Sequence, residues 1–324
     1  MMPPTMDPGR ATIGTIFIGR VMGKASRNKR ESARERIAAQ RAAERRAQRR
    51  NRMYITGGSI LGVVAIVVAF VLFKTTQSPA STNTASATSA TGTALPASVI
   101  KDITSVPSST LASVGTGTAD PKSVSLVSSA KPLTSGGKPQ ILYIGAEYCP
   151  YCATERWSMA VALSRFGTFS GLHGIHSSSS DVYASTPTLT FYKSTYTSKY
   201  LTFTPVETQT EKQGAALQKT TAAQNALLTK YDSPPYVAQS NAGAIPFIDF
   251  GGKYFIHGAQ YNPQILSGQT WAQVAAALKD PNSAVAKGAV GAANMITATI
   301  CKTTNNQPSS VCTSPTIKTI EGQI

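Results

Sequence analysis

An α/β domain carried behind one membrane-spanning helix is the architecture this 324-residue chain predicts, on three observations. Residues Ile55 to Phe73 (ITGGSILGVVAIVVAFVLF) run for nineteen positions without a charge. Further on, a buried-strand signal, a Cys-Pro-Tyr-Cys motif and a helical pattern follow one another directly. Later still, two short apolar runs flank a Gly-Gly pair, the mark of a β-hairpin. Charge and cysteine content then narrow the function classes. The formal net charge is +16, but residues 1–52 hold 14 basic and 4 acidic side chains, a net of +10. The basicity therefore belongs mostly to a tail and says little about a site. Four cysteines are too few for a disulfide-dense scaffold, and the three histidines (His173, His176, His257) are too scattered for a histidine-rich metal centre.

Within the tail, residues 1–52, the stretch from Lys24 to Arg52 is rich in Ala, Arg, Glu and Gln, which favour helix, yet it has almost no apolar stripe to bury, and the apolar patch TIGTIFIG before it is too short to span a membrane. It reads as a topology signal and a solvated helix able to touch anionic lipid head groups. Nucleic acid is the weaker partner, because basic runs of this kind carry little specificity. Met22 is as good an initiator as Met1. The transmembrane segment, 53–74 with its apolar core at 55–73, spans roughly 28 Å as a helix at 1.5 Å per residue, close to the bilayer's hydrocarbon thickness. Arg45 to Arg52 (RRAQRRNR) precede it and only Lys74 follows directly, so the tail is expected inside and the large C-terminal part outside the cell membrane. A cleaved signal peptide fits less well, since its apolar core usually runs about 7–15 residues before a nearby cut site. Residues 75–98 are a Ser/Thr/Ala-rich linker whose only large apolar side chain is Leu95.

From Val99 the composition turns globular, with a main domain over 99–280 and a C-terminal helix and loop over 281–324. Gln140 to Ala146 (QILYIGA) reads as a buried strand, and Glu147-Tyr148-Cys149-Pro150-Tyr151-Cys152 follows it at once. A helix comes next, with Met159, Ala160, Leu163 and Phe166 at helical spacing. If that helix begins inside the motif, the Cys149 sulfur sits at its positive end, beside amide groups with no intrahelical partner. Pro150 in the first turn costs nothing, because its missing N–H would be unpaired anyway. The Cys149 thiolate is then favoured, while Cys152, one turn on and more buried, keeps an ordinary or raised pKa. That asymmetry assigns Cys149 the attack and Cys152 the resolution of a mixed disulfide. A structural bridge across two residues would constrain the unfolded chain little, and a zinc site wants four ligands.

Downstream, Ala244 to Phe250 (AIPFIDF), Gly251-Gly252 and Lys253 to Gly258 (KYFIHG) read as two strands and their turn. Pro246 opens the first strand, where a missing N–H is tolerated. Leu172–Ser177, Thr188–Tyr192 and Tyr200–Thr204 read as further strands, Lys212–Tyr231 as a helix within an insertion at about 205–240, and Thr270–Lys279 as an amphipathic closing helix. His173 and His176 read as surface or satisfied core residues. Cys301 and Cys312 end a helical pattern (284–302) and flank a polar loop. Outside the membrane nothing keeps them reduced, so a bridge is expected. A second dithiol relaying electrons to Cys149 and Cys152 is the sharper alternative, though it lacks a helix start to activate a thiol.

Tyr143 to Trp157 (YIGAEYCPYCATERW), Ala162 to Leu172 (ALSRFGTFSGL) and Thr186 to Phe203 (TPTLTFYKSTYTSKYLTF) together resemble domain-of-unknown-function family 929, prokaryotic thioredoxin-like proteins with a membrane-proximal N-terminus. The resemblance covers most of Ser98 to Lys279. It implies an α/β thioredoxin-like fold with a helical insertion and a redox-active pair at Cys149 and Cys152. It also implies a cis bond at Ile245–Pro246, facing Cys149 and leaving the Ile245 backbone free for a substrate chain. The site is similar to those of periplasmic disulfide oxidoreductases and isomerases, and its Pro-Tyr dipeptide is that of glutaredoxins. Thioredoxin's buried acid before the cysteines is missing from ILYIGA. Glu147 is the nearest carboxylate; it reads first as an exposed surface residue and second as a proton shuttle.

These readings converge on a membrane-anchored thiol–disulfide oxidoreductase, with Tyr148, Pro150, Tyr151, Ile245 and Pro246 supporting the two cysteines. Its substrates would be protein dithiols or disulfides, its turnover would use an electron-transfer partner in the membrane, and no cofactor or metal is called for. Two rivals come from other classes. One is a copper-binding module using both motif thiolates. The other is a non-catalytic cell-surface interaction domain.

Overall fold

The computed structural model describes residues 92–324. The expected basic tail, the apolar segment and most of the linker lie outside the described residues, among which no helix is long and apolar enough to cross a membrane. The chain enters through β1 (Thr93–Ala94), α1 (Ala97–Thr104) and α2 (Ser108–Val114). Strands β2 (Val124–Leu126), β3 (Thr134–Ser135) and β4 (Lys138–Gly145) lead into α3 (Pro150–Leu163). Five strands follow: β5 (Gly167–Ser170), β6 (His173–His176), β7 (Pro187–Thr190), β8 (Thr195–Ser198) and β9 (Thr202–Glu207). Then come α4 (Ala222–Tyr231), the hairpin β10 (Phe247–Phe250) and β11 (Tyr254–His257), and α5 (Trp271–Ala277). The chain closes with α6 (Gly291–Thr303), α7 (Ser309–Cys312) and α8 (Pro315–Glu321).

The largest sheet is mixed, and β4 lies at its centre. On one side β9 runs parallel to it, from Gln140 opposite Thr202 to Gly145 opposite Glu207. On the other side β10 runs antiparallel, with Phe247 opposite Ile144 and Phe250 opposite Ile141. Then β11 and β2 continue the sheet, each antiparallel to its neighbour. Successive side chains of a strand point to opposite faces, and the burial follows that alternation. Ile141, Tyr143, Ile248, Phe250 and Ile256 enter a core shared with α3, α5 and α6. Leu142, Ile144, Phe247 and Phe255 enter a smaller core capped by Tyr231 of α4. The hairpin turn is Gly251-Gly252, with φ of +66° and +74°, and the buried Asp249 carboxylate accepts from Gly252 N at 2.6 Å.

Several expectations are corrected here. The linker does not reach Ser98: Thr93 and Ala94 pair with Gly174 and His173, and Leu95 anchors to the main core. The helix expected over 212–231 exists only as Ala222–Tyr231, opened by a Thr221–Gln224 capping box. Its expected first half is irregular, because the backbone N–H groups of Leu217 and Gln218 donate to Thr208 and Glu207 at the end of β9. The third predicted strand is displaced to Thr202–Glu207, so the insertion at 205–240 holds the end of a strand as well as one short helix. The polar ribbon β5–β8 has no counterpart in the sequence reading. The C-terminal helical pattern opens with a π-helical stretch, Ala286–Val290, before α6 proper.

Candidate functional site

Strand β4 carries the motif to one end of the sheet, and α3 starts within it. Cys149 is the N-cap of that helix, with extended backbone (φ −77°, ψ 120°), and Pro150 occupies the first turn. The Cys149 sulfur accepts a hydrogen bond from Cys152 N at 3.3 Å, satisfying one of the amides a helix start leaves free. It lies 3.7 Å from the Ile245 carbonyl oxygen, across the cis Ile245–Pro246 bond. Cys149 is 5% exposed and Cys152 fully buried; the two are not bonded to each other. The Cys149 thiol is held below its ordinary value by a hydrogen bond from the Cys152 thiol; the amides of the first turn and the Arg156 charge add to this, against the effect of burial. Burial, then the neighbouring Cys149, push the Cys152 thiol well up. Tyr148 is half-buried, and its carbonyl accepts from Ser178 N at 2.9 Å. Tyr151 is 42% exposed and meets the ring of Tyr183 edge-on at 5.9 Å.

Beneath the motif lies a layer of buried ionisable groups that the sequence reading did not foresee. Glu147, expected first at the surface, is 3% exposed. Its backbone N–H donates to Gln209 and its carboxyl accepts from Thr190 Oγ1 at 2.6 Å, which folds the side chain inward. Burial raises it to about 7, although Thr190 and Arg156 oppose the shift. Arg156 and Glu207 form a fully buried bidentate pair, Nε to Oε1 and Nη2 to Oε2, each at 2.8 Å. Arg156 Nη2 also donates to Ala146 O at 2.6 Å, fixing the turn that leads into the motif. Glu155 is fully buried as well and accepts from Gln260 N; burial pushes its carboxyl up to about 8. Helix α3 hides this from a periodicity argument because it is buried on every side from Cys152 to Leu163. One signal was legible nonetheless, since Glu155 and Arg156 sit one turn beyond Cys152 on a helix with so few charges.

The remaining residues of interest fall elsewhere. His173 Nδ1 bonds the Gly171 carbonyl at 2.9 Å, and His176 is exposed beside the Trp271 ring. His257, at the end of β11, pairs with the buried Asp232 at 3.0 Å. Cys301 and Cys312 form the expected disulfide, and both are fully buried. Among the described residues, no group of three or more His, Cys, Asp or Glu side chains is placed to hold a metal ion.

The fold and site thus define a mixed α/β protein with an unbonded vicinal dithiol at a helix N-terminus. Residues 125–302, more than half of the chain, match the family described as Domain of unknown function (DUF929), and the chain belongs to that family. No curated protein and no solved structure matches it.

Proposed function

We propose that the chain is a thioredoxin-like thiol–disulfide oxidoreductase acting on protein substrates. The observation that carries this reading is Cys149 at the N-cap of α3, its sulfur receiving the Cys152 amide while facing the Ile245 carbonyl. The strand order supports it: β9 parallel to β4, then an antiparallel hairpin whose first strand follows a cis proline. Tyr151 and Val182 support a polypeptide substrate. They are two of the three large apolar side chains exposed among the described residues, and Tyr151 directly adjoins the motif cysteines. Single exposed apolar residues are ordinary, but Tyr151 lies within the motif and meets the ring of Tyr183, the residue after Val182, and apolar surface there suits a chain presenting apolar flanks to its cysteine. Anchoring through residues 55–73, with this domain outside, belongs to the same proposal, as does a membrane electron-transfer partner.

The exchange balances without any cofactor. The Cys149 thiolate attacks one sulfur of a substrate disulfide, that S–S bond breaks, and the released sulfur takes a proton. Cys152 then loses its proton and attacks the Cys149 sulfur. The second substrate sulfur leaves and is protonated, and Cys149 and Cys152 end as a disulfide. The reverse sequence oxidises a substrate dithiol, and a lowered Cys149 pKa favours that direction by making its thiolate a good leaving group. Insulin reduction and scrambled-ribonuclease reactivation with the full chain test the reading. Activity is expected for the unaltered protein and none for Cys149→Ser; equal rates for the two would remove it.

A further inference from the structure

Two buried donors beneath the motif have no acceptor, namely the Tyr143 hydroxyl and Nη1 of Arg156. Tyr143 is fully buried on the face of β4 that meets α3. Its ring does not stand straight off the strand but runs along it toward the motif. A Cβ built on Gly145 would lie 2.2 Å from the Tyr143 hydroxyl, so residue 145 has no side chain because that oxygen occupies the space. Arg156 approaches from the helix side, one turn beyond Cys152. Its other nitrogens are already committed to both oxygens of Glu207 and to Ala146 O, and only Nη1 is left over. Folded proteins rarely leave buried donors unpaired, and such groups call for an explanation. The one acceptor that exchange chemistry creates in this layer is the Cys152 sulfur, when it gives up its proton.

We propose that the Tyr143 hydroxyl and Arg156 Nη1 form an anion cradle that stabilises the Cys152 thiolate while it resolves the mixed disulfide on Cys149. The inference rests on the exchange reading and adds to it a donor pair selective for the second step. Cys152 needs such help because burial pushes its thiol up, whereas Cys149 has the helix amides. The Arg156 charge favours both thiolates, although its partner Glu207 works against it at Cys152. Tyr143 itself is pushed well above its ordinary value by burial, which keeps it a donor rather than a base.

The test uses the full reduced chain and oxidised glutathione as the probe, with the glutathionylated intermediate followed in acid-quenched samples by mass. In Tyr143→Phe, formation of the mixed disulfide on Cys149 is expected at the unaltered rate. Its resolution by Cys152 is expected to slow about 10- to 100-fold, the range a hydrogen bond to a charged group spans, so the intermediate accumulates. Unchanged resolution, or both steps slowed alike, overturns the cradle. Failure of the unaltered chain to form any mixed disulfide would instead defeat the exchange reading. Should Tyr143→Phe not fold, the reduced-minus-oxidised ultraviolet Raman difference of the unaltered chain decides. At alkaline pH one tyrosine must become a stronger hydrogen-bond donor on reduction; no such change overturns the proposal.

Discussion

The two cysteine pairs of this chain use the same atoms in opposite ways. Cys149 and Cys152 stand at the start of a helix, unbonded, one sulfur receiving a backbone amide and the other buried without that help. Cys301 and Cys312 stand at the ends of α6 and α7, bonded to each other, both fully buried. The first pair is asymmetric, so its two thiols differ in acidity and can take different roles. The second is symmetric and closes a loop between residues eleven apart in sequence, which constrains the unfolded chain. A buried bridge also offers no sulfur to an incoming thiolate, which argues against an electron relay through it. On the proposed exchange reading, what separates the reactive pair from the structural one is the position of each sulfur relative to a helix terminus, more than the spacing of the cysteines.

The sharpest way to break this contrast is chemical labelling of the native protein. After mild reduction, iodoacetamide is expected to modify Cys149 and leave Cys301 and Cys312 bonded and unlabelled, as peptide mass mapping would show. Comparable labelling at both pairs would erase the distinction. Next in size is Glu207→Gln. It leaves Arg156 buried with its charge uncompensated, at a cost of about 3–5 kcal/mol in denaturant unfolding. The same change lets the Arg156 charge act undiminished on the motif, so the alkylation profile of Cys149 should move to lower pH. Removing the other pair, by Cys301→Ser with Cys312→Ser, is expected to cost about 3 kcal/mol by loss of a loop constraint of this length. That double variant should keep its exchange activity at the temperatures where it remains folded, whereas Cys149→Ser should keep its stability and lose its activity.

The sequence made the local half of this picture legible. Strand, motif and helix could be read because breakers bound the strand and the cysteines mark the helix start, and the hairpin because Gly251-Gly252 can hardly serve another purpose. The Cys301–Cys312 bridge was expected because the sequence places this part of the chain outside the membrane, where nothing would keep the two thiols reduced. The layer under the motif could not be read in the same way, because its partners are distant in sequence. Arg156 finds Glu207 and Glu155 finds Gln260 only once β9 and the segment after β11 have docked on α3. Glu147 misled for a related reason: a glutamate in a turn looks solvated until Thr190, on a strand of another sheet, is brought against it. The shortened helix α4 was a recoverable error, since Thr221-Ala222-Ala223-Gln224 is a capping-box signature at its true start.

The smallest expected effect distinguishes the two regions by pH. Three buried carboxyls are displaced upward by burial: Glu147 to about 7, Glu155 to about 8 and Asp249 to about 7. A carboxyl with a raised folded pKa contributes stability that is fully present below its unfolded value, near 4, and lost as pH rises through the folded one. With Cys149 and Cys152 oxidised so that neither thiol titrates, the melting temperature should therefore decline between about pH 5 and pH 8. Glu155→Gln keeps an acceptor for Gln260 N and removes the titration. It should be nearly neutral at pH 5 and increasingly stabilising as pH rises toward 8, since the charged form that burial disfavours is no longer produced. A disulfide does not titrate, so losing the Cys301–Cys312 bridge should lower this curve without tilting it. A slope unchanged in Glu155→Gln would mean that its carboxyl is not protonated in the folded protein, and that the layer under the motif is wetter than its burial implies.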